Sequence, residues 1–309
     1  MTEIMLRVKM KKRKNWEICC LFCVVGICLI LVCSVFSFQS ELPEDKAKPE
    51  VISLLGKEFF ATPAEGEDLA RLQKDMEEAW DNLQGNPGDP ESFVLYGRRL
   101  AYLWRYHEAI DVYSGAIKNF PDHAMLYRHR GHRYISIRKF DLAVADLSKA
   151  TELNNSDFDI WYHLGLAHYL RGDFEKALQA YENCLQTAAD DDSRIAISNW
   201  LYITLRRMGR EDKAIGVLNT ISEGMDVSEN LSYYDLLLFC KGQKAEKDIF
   251  NIEEATDLEL ATVGYGIGCW HLYNYDEPTA RTYFEKIVDS KYWPAFGFIA
   301  AEAELFRMK

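Results

Sequence analysis

Apolar and polar positions fall into three regimes along this chain. Residues 18–38, from Ile18 to Phe38, carry no charge and nothing more polar than Ser and Cys. A run of 21 residues is long enough as a helix to cross about 30 Å of hydrocarbon. Lys9, Lys11, Lys12, Arg13 and Lys14 precede it, and Glu41, Glu44 and Asp45 follow. Basic flanks stay on the cytoplasmic side. The pattern therefore predicts a basic cytoplasmic segment 1–17, a single-pass anchor over 18–38 and an extracytoplasmic body. Two competing readings are a signal peptide cleaved near Val35-Phe36-Ser37, which would release a secreted chain, and a lipidated Cys33, against which the bulk of Val32 argues. Residues 39–64, charged and proline-containing, read as a tether. Beyond them Leu69, Leu72, Met76, Ala79, Trp80 and Leu83 recur at helical spacing and predict a capping helix.

The third regime is periodic. Gly97, Gly131 and Gly165 lie 34 residues apart, as do Ala109, Ala143 and Ala177, and Tyr113, Leu147 and Tyr181. Phe93, Tyr127 and Trp161 precede each glycine by four residues. Each copy reads as two helices, near 125–137 and 140–153 in the second. A glycine and an alanine let the pair approach closely, and a large residue fills the gap beyond. No such pair buries its apolar faces alone, so copies must stack. A large residue, Gly, Ala and an aromatic in that order, at this period, resembles the tetratricopeptide repeat, and Pro121 stands at the place of that family's closing proline. The resemblance implies an all-α fold, a tetratricopeptide-type α-α superhelical solenoid preceded by one transmembrane helix. The solenoid is expected over 65–309, with clear copies at 90–123, 124–157 and 158–191 and weaker ones at 195–223, 228–250 and 261–294. The tail Ala295–Phe306 reads as a final solvating helix.

Charge changes the picture of partners. The chain is −12 overall, with 36 Lys and Arg against 48 Asp and Glu. Its first 40 residues are +4, so the rest is −16. That balance argues against nucleic acid, whose binding is driven by phosphate neutralisation. Five of eight cysteines sit in the apolar run, and Cys184, Cys240 and Cys269 are too few and scattered for a disulfide framework or a metal motif. No nucleophile motif, phosphate loop or dinucleotide fingerprint is present. The glycines at 264, 266 and 268 read as close helix packing, and Trp270, Tyr273 and Tyr275 as core or groove wall.

In tetratricopeptide arrays the first helix of each copy lines a concave groove. Carried over position by position, that implies Arg98 and Tyr102 from the first copy, Arg128, His129 and His132 from the second, Tyr162, His163 and Tyr169 from the third, and Asn199, Trp200 and Arg206 from the fourth. Basic and aromatic residues are thus gathered against an acidic average, which favours an acidic peptide segment of a protein partner. The family's terminal-carboxylate clamp is not expected, because Val94 and Arg98 stand where it wants Lys and Asn. Arg130 and Arg133 are expected to face neighbouring helices or the rim. The simplest alternative is structural pairing of these cations with Asp141, Asp146 and Asp159. Binding without catalysis and without a cofactor is the expectation. The rivals are a metal protein or enzyme built on His129, His132 and His163, and a structural subunit of an envelope assembly. The spacing favours hydrogen-bonding histidines over ligands, since no acidic residue completes a zinc pattern.

Overall fold

Local sequence chemistry sets the helix boundaries. In a computed structural model, residues 48–61 and 65–309 are described. The proposed anchor 18–38 lies outside them, and among the described residues no helix is long and apolar enough to cross a membrane. A helix α1 spans Gly66–Gly85, over the stripe from Leu69 to Leu83. Paired helices follow: α2 (Pro90–Tyr102) and α3 (Tyr106–Asn119), α4 (Ala124–Ser136) and α5 (Phe140–Leu153), α6 (Phe158–Arg171) and α7 (Phe174–Thr187). Pro90 opens α2 with its fixed φ, and the Asp157 carboxylate accepts from the Ile160 amide to cap α6. A longer helix α8 (Asp191–Arg207) pairs with α9 (Glu211–Asn219). Then come α10 (Leu231–Cys240), a single turn at Glu246–Ile249, a π-helical turn at Leu260–Gly264 running into α11 (Tyr265–Tyr273), then α12 (Glu277–Asp289) and α13 (Phe296–Arg307).

The repeat glycine is a steric requirement. A Cβ on Gly131 would stand 2.7 Å from Leu147 Cγ, and the equivalent atoms on Gly97 and Gly165 would collide with the rings of Tyr113 and Tyr181. The two helices of each pair therefore meet at a distance only glycine permits. A second periodic feature lies in the turns. A residue with positive φ closes the turn within each pair at Trp104, Arg138 and Gly172, then at Gly209, Gly242 and Tyr275.

Two expectations are corrected. The stretch 39–64 is not tether throughout: β1 (Val51–Ile52) pairs antiparallel with β2 (Glu58–Phe59), and this hairpin is packed into the body. Phe59 stacks on Trp293 at 5.7 Å between ring centroids, and both amides at the start of α3 donate to the Glu50 carboxylate. Nor is Ala295–Phe306 a solvating cap. Phe298, Ile299, Ala300 and Ala301 of α13 are fully buried, because this helix lies across the inner faces of α4 and α6. Gly297 lets it in, since a Cβ there would collide with the Ala261 carbonyl.

Candidate functional site

Two carboxylates on α13 carry its docking. Glu302 is fully buried and accepts from Arg138 Nε (3.0 Å) and Nη2 (2.8 Å), while Arg138 also donates to the Trp293 and Ser136 carbonyls. Glu304, also fully buried, meets Arg207 at 3.0 Å and Arg307 at 3.1 Å, and accepts from the Tyr169 hydroxyl at 3.1 Å. Tyr265 and Tyr273 complete that cluster with hydroxyls 3.0 and 3.2 Å from Tyr169. Burial lifts all three phenols well above the ordinary tyrosine value. Buried ions persist only when paired and hydrogen-bonded; both carboxylates are paired, with hydrogen bonds to Glu302 and to Oε1 of Glu304.

Several expected groove residues therefore belong to the interior. Tyr169 is sealed beneath α13 rather than lining an open groove. Tyr162 and Trp200 are buried and joined by an indole-to-hydroxyl hydrogen bond of 2.7 Å, and Asn199 is buried beside them. Arg206 donates to the Tyr273 carbonyl at 2.8 Å. His163 packs edge-on against Phe296 of α13, 5.5 Å between centroids, with its Nδ1–H donated to the Asp159 carbonyl. For Tyr169, His163, Trp200 and Arg206 the reason is shared: α11 and α13 occupy the hollow that the register alone leaves open. Tyr275, read as core or groove wall, is instead 98 % exposed at the tip of its turn.

The remaining five share one cavity. Arg98, Tyr102, Arg128, His129 and His132 line a space of about 300 Å³ between α2, α4 and the start of α6. Arg128 is 9 % exposed. Its Nη2 donates to Asp159 Oδ2 at 2.7 Å and its Nη1 to His129 Nδ1 at 3.0 Å. That bond leaves the His129 proton on Nε2. Arg128 Nε and His132 Nδ1 are buried without a hydrogen-bond partner among the described residues. Burial, reinforced by Arg128 and Arg133, holds His129 far below the ordinary imidazole value, and His132 is depressed in the same way. Tyr102 is lowered by the 3.2 Å hydrogen bond from Arg98.

Arg133 faces the neighbouring helix α3, as expected, and lines the cavity as well. Its guanidinium lies 5.3 Å from the Tyr106 ring centroid, with no carboxylate partner among the described residues. Arg98 likewise pairs with no carboxylate among them. Arg130 does turn away, bidentate to Asp146 at 2.7 Å and bonded to Ser114. Arg133 and Met125 were findable as the residues four on either side of His129, hence on its face of α4. Asp159 was named from the sequence as a pairing partner, and the structure joins it to Arg128. Of the groove cations, Arg128 takes the pairing alternative, with Asp159; Asp146 and Asp141 instead pair with Arg130 and Arg171, outside that list. The rings of His132 and His163 come within 4.4 Å. Among the described residues no group of three or more His, Cys, Asp or Glu is placed to hold a metal.

The stacked pairs, the glycine contacts and the first helices meeting in series on the inner side agree with the family comparison, in which residues 129–193 match the model described as tetratricopeptide repeat. Over those residues the chain is similar to the tetratricopeptide repeat. Among curated relatives of this repeat protein, the small glutamine-rich tetratricopeptide repeat-containing protein 2 of Saccharomyces cerevisiae is 36 % identical over 101 residues, 33 % of this chain and 29 % of that one. The heat-shock protein cognate co-chaperone sgt12 of Aspergillus fumigatus is 28 % identical over 148 residues, 47 % of this chain and 43 % of its own length. The repeat region thus spans less than half of either relative. Among solved structures, YrrB, described as a TPR protein with an unusual peptide-binding site, is 16 % identical over 69 % of this chain and 92 % of that one, with a TM-score of 0.44.

Proposed function

We propose that this protein is a protein-interaction module that takes an acidic segment of its partner into the cavity between α2, α4 and α6. The observation that carries this reading is a charge imbalance. Three guanidinium groups, Arg98, Arg128 and Arg133, face one space that holds a single carboxylate, Asp159, on a body whose average is strongly acidic. Arginine forks set around a partly desolvated space favour oxyanions, and Tyr102 and Met125 add flat apolar contact. Since α13 fills the hollow beyond His132, the partner contributes a short segment rather than a long extended peptide. Residues 18–38 would hold the module at a membrane with the repeats on the extracytoplasmic side, which confines the search for partners to that surface.

The test is binding of a labelled oligoglutamate peptide to the full chain, followed by fluorescence anisotropy. Arg98 is exposed at the cavity mouth, so Arg98→Glu should leave the fold intact and weaken binding by at least about tenfold. An oligoglutamine control should not bind. Equal affinity of wild type and Arg98→Glu would remove the cavity from the reading.

A further inference from the structure

The charge in the cavity points beyond a generic acidic segment. Three arginines against one carboxylate leave two positive charges unneutralised around one partly open space. A single carboxylate would cancel only one of them. Arg128 Nε and His132 Nδ1 are buried polar atoms without a partner among the described residues, and such groups are costly to leave so. The space of about 300 Å³ exceeds what one carboxylate fills, and Ala101, Met125 and the Tyr102 and Tyr113 rings give it apolar walls. We propose that this cavity is a site for a dianionic phosphomonoester, an aryl phosphate carried on a partner side chain. The proposal rests on the acidic-segment reading and narrows it to one residue.

In this arrangement the Arg98 and Arg133 forks hold the phosphoryl oxygens from α2 and α4, while Arg128 stays anchored to Asp159. The guanidinium fork matches phosphate bidentately. Asp159, on the wall of the same cavity, repels the ligand's charge. Removing its charge should therefore tighten binding, an effect that a purely structural ion pair would not produce.

The experiment titrates the full chain with a short peptide carrying a central phosphotyrosine, with the same peptide carrying sulfotyrosine, and with free phenyl phosphate. Sulfotyrosine keeps the tetrahedral shape but bears one charge, whereas the phosphate is a dianion above its second pKa of about 6. At about pH 7.5 the phosphopeptide should bind at least about tenfold more tightly than the sulfopeptide. At about pH 5, where the phosphate is a monoanion, the two should converge. Arg98→Gln should weaken the phosphopeptide, and Asp159→Asn should tighten it. Equal affinity of phospho- and sulfopeptide at the higher pH overturns the dianion site while leaving the acidic-segment reading standing. Binding of neither peptide, unchanged by Asp159→Asn, overturns both. Phenyl phosphate binding more tightly than the phosphopeptide overturns the assignment to a partner side chain.

Discussion

At the scale of single residues, the positive-φ turn positions separate strain from use. Trp104, Arg138 and Tyr275 adopt a left-handed conformation that glycine takes more easily. Arg138 is held there by its buried bonds to Glu302, and Trp104 by its edge contact with Trp293 at 5.3 Å. Tyr275 has no such anchor among the described residues and stands almost wholly in solvent. Tyr275→Gly should therefore stabilise the protein by about 0.5–1 kcal/mol. Arg138→Gly relieves the same strain but strands a buried carboxylate, and should cost about 3–5 kcal/mol. Urea melts of the two variants check both signs, and two shifts in the same direction would refute the argument. Periodicity announces the glycine, alanine and large-residue positions in the sequence. It does not announce that Arg138, an ordinary turn residue by composition, reaches a carboxylate 164 positions away.

At the scale of elements, the decisive feature is the histidine layer where α4, α6 and α13 meet. His132 and His163 pack against each other and against Phe296. Burial, reinforced by Arg128 and Arg133, keeps both rings neutral well below the ordinary imidazole value. Unfolded, they take up protons below about pH 6.5. The unfolded state then binds more protons than the folded one, so stability falls as pH drops through that value. The slope is about 1.4 kcal/mol per pH unit for each ring. Denaturation midpoints between about pH 7 and pH 5 should show it, and His163→Gln should flatten it; a pH-independent midpoint in wild type would contradict the layer. The helices of this layer in α4 and α6 are legible from the 34-residue period. The helix that covers them is legible as a helix only. Its apolar spacing says that Ala295–Phe306 buries a face, but nothing local says the face turns inward rather than capping the end.

At the scale of the whole molecule, the concave surface is divided in two. Buried carboxylates Glu302 and Glu304 bring α13 against Arg138, Arg207 and Arg307 over one part. The other part, around Arg98, Arg128 and Arg133, keeps its cations open to a cavity. The solenoid thus already captures one acidic element of its own chain. Repeat register alone carries the candidate residues to the inner side. It cannot tell which of them the chain itself consumes, because that depends on contacts between segments distant in sequence, from Arg206 with Tyr273 to Tyr169 with Glu304. Hydrogen exchange on the full chain, with and without an oligoglutamate peptide, tests this division most directly. Added peptide should slow exchange in α2 and α4, around Arg98 and Arg128–Arg133, and leave α13 unchanged. Faster exchange across Phe296–Arg307, with no protection in α2 or α4, would mean that the partner displaces the C-terminal helix instead, contradicting the account.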